Sequence, residues 1–331
     1  MSEAVAIAHP NVALSKYWGK RAVGRFPAVP SLSVTLSGLA TRTRVCFDRT
    51  LAEDRVVLNG LPGDDRTRAR AVDLLDRVRQ AAGENRRAAV DSRNDFPTAS
   101  GLASSASGFA ALALAAVRAA GLDWDTPRVS DLARRSSASA ARSLFGGYVE
   151  LDAASSVPRE DDVLAARSIA PADQLPLLVL VCVTTEGPKA VGSTEGMATT
   201  MAKSPYASAW LEEAPRLHAR LREALFARDF EALGELAESS ALAMHASAIA
   251  AGVIYWTGAT LDVLAAVRRL RAASVPVFAS IDAGPHVKVL VRPQDASGVQ
   301  AVMRATAGVN RVIEAWPGDG ARLDRGMGSL S

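Results

Sequence analysis

Polar and apolar residues alternate along the first part of the chain and predict strands there. AVAIAH (4–9) reads as a first strand. SLSVTL (31–36) and TRTRVCFD (41–48) alternate residue by residue, which predicts two half-buried strands. RVVLNG (55–60) predicts another, closed by the Asn59-Gly60 turn signal. Over 67–83 the period lengthens to that of a helix, which ends at Gly83. AAVDSRNDF (88–96) predicts a strand leading into a loop. Helices are expected over 102–120, stopped by Gly121, and over 128–143, before GGYVEL (146–151) returns to strand. The stretch 152–175 is rich in Asp, Ser and Pro and reads as a connection between halves. LPLLVLVCVTT (175–185) is a continuous apolar run, expected as a buried strand. Long helices follow at 205–225, 228–249 and 258–273. VPVFASIDA (275–283) and VKVLVRP (287–293) predict paired strands around Gly284-Pro285. There is no internal repeat, and the irregular order of strands and helices predicts an α+β protein in two halves, divided at 1–175 and 176–331.

Composition narrows the class. At 331 residues and 49% hydrophobic, the chain is long and apolar enough for a large core. The net charge of +3 is carried by scattered arginines with few aromatics between them, a pattern that suits small anionic ligands rather than nucleic acid. Cys46 and Cys182 form no CxxC pair, so a reducing, cytoplasmic setting is expected. The four histidines show no zinc-ligand spacing. Neither a signal peptide nor a membrane-spanning run is expected.

The candidate chemistry starts at FPTASGLASSASGFAALALAA (96–116). Glycine lets backbone approach a ligand closely, and a helix N-terminus presents unpaired N–H groups and partial positive charge. Together these suit phosphate, and serine hydroxyls add donors or Mg²⁺ ligands. Without a lysine after Gly101 this is not the GxxxxGK[ST] loop. The same small residues also suit a helix packed closely on its neighbours. The order Pro97, Gly101, Leu102, Ser104, Ser105, Ala106 resembles the phosphate loop of the GHMP superfamily of small-molecule kinases.

Further stretches resemble one member family. NVALSKYWGK (11–20), PSLSVTL (30–36), SSASAARSLFGGYVE (136–150), GSTEGM (192–197) and IDAGPHVKVL (281–290) resemble, in order, segments of the mevalonate diphosphate decarboxylases. The resemblance implies the two-domain GHMP kinase fold, with an N-terminal half like ribosomal protein S5 domain 2, a ferredoxin-like C-terminal half and the active site in the cleft between. It implies ATP-dependent conversion of mevalonate 5-diphosphate to isopentenyl diphosphate, with phosphorylation of the 3-hydroxyl and loss of phosphate and CO2. ATP, Mg²⁺ and a small phosphorylated substrate follow, with no nucleic-acid or membrane partner; dimers are common in the family.

By resemblance, Asp282 orients or deprotonates the tertiary hydroxyl, Lys16 supplies positive charge beside it, and Arg142 grips the substrate carboxylate. Tyr17, Lys20, Ser137 and Ser139 match substrate-binding positions, whereas Trp18 is expected to be core. Pro97, Gly101, Leu102, Ala103, Ser104, Ser105 and Ser107 are expected around the ATP phosphates, with Ser105 on the metal, and Ser92 and Asn94 facing the nucleotide. Singly, each has a plainer reading as turn, surface or packing residue. The chain departs from the family pattern at Ser136, Ala138 and His286. It also carries Thr194 and Glu195 where some bacterial members have a phosphate-binding arginine. Arg66, Arg68, Arg70 and Lys189 are candidates for that contact. Two alternatives stand beside the main reading: a decarboxylase of mevalonate 5-phosphate, and a non-catalytic GHMP-fold sensor. Relatives that only phosphorylate the 3-hydroxyl tend to lose the Asp-Lys-Arg set, which is present here.

Overall fold

The computed structural model describes residues 2–21, 26–96, 104–153, 159, 162–185, 187 and 191–324. In chain order the elements begin β1 (Ser2–Ala8), β2 (Asn11–Ser15), β3 (Ser31–Ser37), β4 (Thr41–Asp48), β5 (Arg55–Leu58) and β6 (Leu61–Pro62). Next come α1 (Asp65–Ala82), β7 (Arg87–Asn94), α2 (Ser104–Ala119), α3 (Thr126–Ser136), α4 (Ala138–Arg142), β8 (Tyr148–Leu151), β9 (Arg167–Ala170) and β10 (Leu178–Val183). The rest are α5 (Ser193–Lys203), α6 (Ala207–Phe226), α7 (Phe230–Ile249), α8 (Gly258–Ala272), β11 (Val277–Ile281), β12 (Val287–Val291), α9 (Ala296–Ala305), β13 (Arg311–Pro317) and β14 (Arg322–Leu323).

The strands form two sheets. One has six strands in the order β14-β1-β4-β7-β5-β6; it is antiparallel except where β5 runs parallel to β7. The Ala-rich helix α2 packs on β1 and β4, and Ala106, Ala110, Ala113 and Ala116 are fully buried. Alanine brings the helix close to the sheet, so close packing is part of what the Ala-rich run does. The second sheet has eight strands in the order β11-β12-β10-β13-β3-β8-β9, with β2 also paired to β3. It therefore joins strands from both ends of the chain.

β10 shows why its sequence does not alternate. Val179, Val181 and Val183 pack under α6 and α7, while Leu178, Leu180 and Cys182 pack under α8 and α9. Both faces are covered, so both want apolar residues. β3 departs from the expected half-exposed strand. Leu32, Val34 and Leu36 enter the core as predicted, but Ser31, Ser33 and Thr35 on the other face are fully buried too.

The helix expected over 128–143 is broken. Ser137 is extended, at φ −154° and ψ 117°, and ends α3 while starting α4. Its amide still donates to the Ala133 carbonyl, so the break leaves no orphaned donor there. The connection over 152–175 contains a short strand, β9, laid antiparallel on β8. Gly147, at φ +70°, admits this approach: a Cβ there would lie 2.3 Å from the Ala170 carbonyl oxygen. Gly60, at φ +80° in the β5–β6 turn, has open space where its Cβ would be. Gly60→Ala is expected to cost about 1 kcal/mol from backbone strain alone. Gly147→Ala adds a backbone clash and is expected to cost at least about 2 kcal/mol more. Urea unfolding of the two variants checks this; equal costs would refute the packing argument.

Candidate active site

Lys16 follows a β-bulge. The pairing of β2 with β3 slips between Ala13 and Ser15. Ser15 anchors the slip: its Oγ accepts the Leu32 amide at 2.7 Å and meets His218 Nδ1 at 2.9 Å. His218 Nε2 reaches Glu150 Oε1 at 2.7 Å. This serine–histidine–glutamate line is buried, and its serine oxygen is occupied by a backbone donor, so its role is positional. The Lys16 amide then donates to Ser240 Oγ at 3.0 Å. Its side chain, 2% exposed, donates to the Ala13 carbonyl at 2.9 Å, Ser280 Oγ at 2.8 Å and Asp282 Oδ1 at 2.7 Å. Burial lowers the Lys16 ammonium to about 8, against the pull of the Asp282 carboxylate.

Asp282 lies just past the end of β11. Lys16 holds one carboxylate oxygen, and Lys288 of β12 holds the other at 3.1 Å. Burial pushes its pKa up, but the two ammonium groups more than offset this and hold it well below the usual carboxylate range. Its side chain is still 25% exposed, so the carboxylate remains open to a ligand.

Arg142, at the end of α4, is 2% exposed. Its Nε donates to Ser33 Oγ at 3.0 Å and its Nη1 to Ser31 Oγ at 2.8 Å. These serines are the buried polar face of β3, and they fix the guanidinium plane. Burial lowers Arg142 to about 10, with Asp282 acting in the opposite direction. The break at Ser137 re-aims the chain so that α4 can deliver this arginine inward. Ser137 and Ser139 lie on the same short segment, with their hydroxyls 3.1 Å apart. Asn11 donates to the Ser139 carbonyl at 2.9 Å and to Ser143 Oγ at 2.8 Å.

The Tyr17 hydroxyl is buried without a hydrogen-bond partner among the described residues, and burial raises its pKa. An orphaned hydroxyl next to buried cations suits a ligand acceptor. Trp18 is core, as expected: it is 1% exposed and meets Tyr255 edge-on at 6.0 Å. Lys20 donates to Thr194 Oγ1 at 3.2 Å, near the start of α5. That N-terminus has no side-chain cap, and the Arg66 guanidinium packs so tightly on Gly192 that a Cβ there would lie 2.3 Å from Nη1.

A pocket of about 130 Å³ opens between β5, β7, α1 and α2, lined by Ser92, Asn94, Arg70, Ser105 and Phe109 among others. Apolar walls with a few polar groups fit a planar base. Ser105 is exposed in the first turn of α2, where a hydroxyl can serve phosphate or Mg²⁺. Ser92 and Asn94 line the pocket, although their side chains also bond Thr43 at 2.8 Å and Thr41 at 2.6 Å. Ser107 is different from expectation. It is fully buried and its hydroxyl meets Thr41 at 2.6 Å, tying α2 to β4. Pro97, Gly101, Leu102 and Ala103 lie outside the described residues, as do the side chain of Ser104 and Lys189. Among the described residues no cluster of His, Cys, Asp and Glu is built to hold a metal. An ion carried on nucleotide phosphates with hydroxyl help fits these residues better than one caged by carboxylates.

The two sheets and their helices superpose on solved decarboxylases of GHMP-kinase fold, which places the chain in that class of α+β enzymes. The chain belongs to the mevalonate diphosphate decarboxylase family. Residues 8–165 match the diphosphomevalonate decarboxylase-like N-terminal domain, and residues 179–319 match the mevalonate 5-diphosphate decarboxylase C-terminal domain. The mevalonate diphosphate decarboxylase of Enterococcus faecalis is 36% identical and superposes with a TM-score of 0.89 over 97% of this chain and 98% of that one. A structure holding MVAPP, AMPPCP and magnesium superposes with a TM-score of 0.90 at 36% identity, over 97% and 98% of the two chains. The phosphomevalonate decarboxylase of Haloferax volcanii is 34% identical over 97% of this chain and 98% of its own length.

Sequence reasoning missed Ser31, Ser33, Ser240, Ser280 and Lys288. The two β3 serines had a signal, since SLSVTL sets small hydroxyls on one face. Lys288 had one too: a lysine between valines in an otherwise apolar strand. If the Lys16 ammonium is required, kcat/KM is expected to fall as pH rises through about 8, because the free enzyme carries the charged form below that value. Lys16→Arg is expected to move this alkaline limb upward. A flat profile across the alkaline range in the unaltered enzyme would sink the requirement.

Proposed function

We propose that this enzyme converts mevalonate 5-diphosphate to isopentenyl diphosphate, with Asp282, Lys16 and Arg142 carrying the reaction. The observation that carries the reading is the buried Lys16–Asp282 pair together with buried Arg142. Such a set is costly to bury, and apolar residues of similar volume would fill the space without that cost. Bound MgATP supplies the phosphoryl group that makes the 3-hydroxyl oxygen a leaving group. Asp282, ionised in the resting site, accepts a hydrogen bond from that hydroxyl, aims it and takes its proton as the oxygen bonds to the γ-phosphorus and ADP leaves. Lys16 keeps the carboxylate ionised and damps negative charge that builds on the oxygen. Arg142 has two donors committed to Ser31 and Ser33, and its Nη2 has no protein acceptor among the described residues. In this reading that nitrogen holds the substrate carboxylate until CO2 departs. Ser137, Ser139 and Tyr17 supply hydroxyls along the substrate.

Lys20, Arg66 and the uncapped start of α5 hold the terminal phosphate in this reading, in place of the arginine missing near Thr194. The base sits between Ser92, Asn94 and Phe109, with Ser105 at the phosphates. In this reading the protein acts on small phosphorylated molecules in the cytoplasm, without nucleic acid or membrane. Among the described residues no helix is long and apolar enough to cross a membrane.

Incubation with MgATP and either mevalonate 5-diphosphate or 5-phosphate, with products identified by mass, tests the reaction. Isopentenyl diphosphate from the diphosphate is expected; turnover of the monophosphate alone would overturn the substrate assignment. Asp282→Asn is expected to lower kcat by about 10³-fold while ATP binding persists. Arg66→Ala is expected to raise KM for the diphosphate roughly 5- to 10-fold with little change in kcat. An unchanged KM would place the terminal phosphate elsewhere.

A further inference from the structure

Lys288 is a deeply buried cation to which the reading above gives no part. It is 1% exposed, in the middle of β12, with β10 on one side and β11 on the other. Its cross-strand partner on β11 is Ser280, which places both on the same face of the sheet. Ser280 Oγ accepts from Lys16 Nζ and donates to the Ala13 carbonyl at 2.9 Å. Asp282 follows Ser280 by two positions. The sheet thus sets Lys288 and Ser280 side by side, one under each part of the Lys16–Asp282 pair.

Stability does not explain this lysine. The flanking Val287 and Val289 point to the opposite, apolar face, packed under α8 and α9. An apolar residue of similar size at 288 would avoid desolvating an ammonium, and such replacements are often neutral or stabilising. What the ammonium does is hold Asp282 Oδ2 at 3.1 Å while Lys16 holds Oδ1 at 2.7 Å. A carboxylate clamped at both oxygens cannot rotate freely about its terminal torsion. With one clamp removed, the plane of the carboxylate is free to swing about the Lys16 contact, and the lone pair meant for the substrate hydroxyl loses its aim.

We propose that Lys288 is a positioning residue for the reaction, clamping the Asp282 carboxylate in the plane that receives the substrate hydroxyl. The inference rests on Asp282 having the role assigned above. The groups facing Asp282 are Lys16 from the end of β2, Lys288 from β12, Arg142 from α4 and His245 from α7. His245 is fully buried against Trp256 and its pKa is pushed down to about 3 by burial, with Lys16 adding to the effect. It is therefore neutral near pH 7 and does not replace a lost ammonium.

The test compares Lys288→Met, Lys288→Gln and Lys288→Arg with Asp282→Asn and the Asp282→Asn/Lys288→Met double variant. Lys288→Met is expected to lower kcat about 10- to 100-fold, the range for one hydrogen bond to a charged group. KM for both substrates should stay within about threefold, the acid limb of the kcat profile should move to higher pH, and Lys288→Arg should recover part of the loss. The double variant should be no slower than Asp282→Asn alone, because Lys288 acts through that carboxylate. Lys288→Gln serves if the methionine variant does not fold. A folded neutral variant with kcat within about threefold of the unaltered enzyme and the same acid limb would overturn the inference, as would additive losses in the double variant. An active Asp282→Asn enzyme would instead remove the role of Asp282 on which the inference stands.

Discussion

The rest of the structure depends on the contact between the Lys16 ammonium and the Asp282 carboxylate. It joins residues 266 positions apart, one just after an early strand and one just after a late strand. An ammonium this deeply buried is tolerable only if every proton finds an acceptor, and Lys16 has three within 2.9 Å. Those acceptors come from Ala13, Ser280 and Asp282, so the bulge in β2 and the end of β11 must meet in one arrangement. Any slip of β2 against β3 would move Lys16 to the wrong side of the strand. The buried line from Ser15 through His218 to Glu150 opposes such a slip, since it ties the bulge to α6 and β8.

A second polar layer supports the first. Ser31 and Ser33 occupy the face of β3 where solvent or apolar contact would be ordinary, and both accept from Arg142. Their burial follows from what Arg142 needs: a guanidinium taken out of water needs acceptors in its own plane. Leu32, Val34 and Leu36 on the other face supply the apolar burial that anchors the strand. One strand thus does two jobs with period two, packing the core with its even positions and orienting a cation with its odd ones.

This division explains what was legible in the sequence. β10, α1, α7 and α8 follow directly from apolar runs or helical spacing, because burial alone shaped them. β3 showed its period but not its environment; alternation reveals two faces and cannot say that the polar one is covered by Arg142. The break at Ser137 left no mark, since SSASAA is acceptable to a helix throughout and the extended residue is set by the tertiary pull on Arg142. α5 was missed because STEGMATTMAK lacks a clear apolar stripe; Gly196 is buried there to let Trp18 and Tyr255 approach. Within the site, Lys16, Asp282 and Arg142 were named only through the ordered resemblance. Their separation along the chain hides their meeting, and the pairing of Ser280 with Lys288 depends on strand register, which no single segment encodes.

Charge gives the assembled site its direction. Lys16 and Lys288 grip one carboxylate and Arg142 lies within its field, leaving buried positive charge in excess. By themselves these cations are held unfavourably, which appears as the lowered pKa values of Lys16 and Arg142, where burial outweighs the pull of Asp282. A substrate bearing a carboxylate and phosphates supplies the missing negative charge, so binding relieves part of the desolvation already incurred in folding. Asp282 does not share in that relief, because it is already satisfied by two ammonium groups. It remains a fixed acceptor while the cations around it take up the new charge. That asymmetry lets one carboxylate stay unprotonated among anionic ligands.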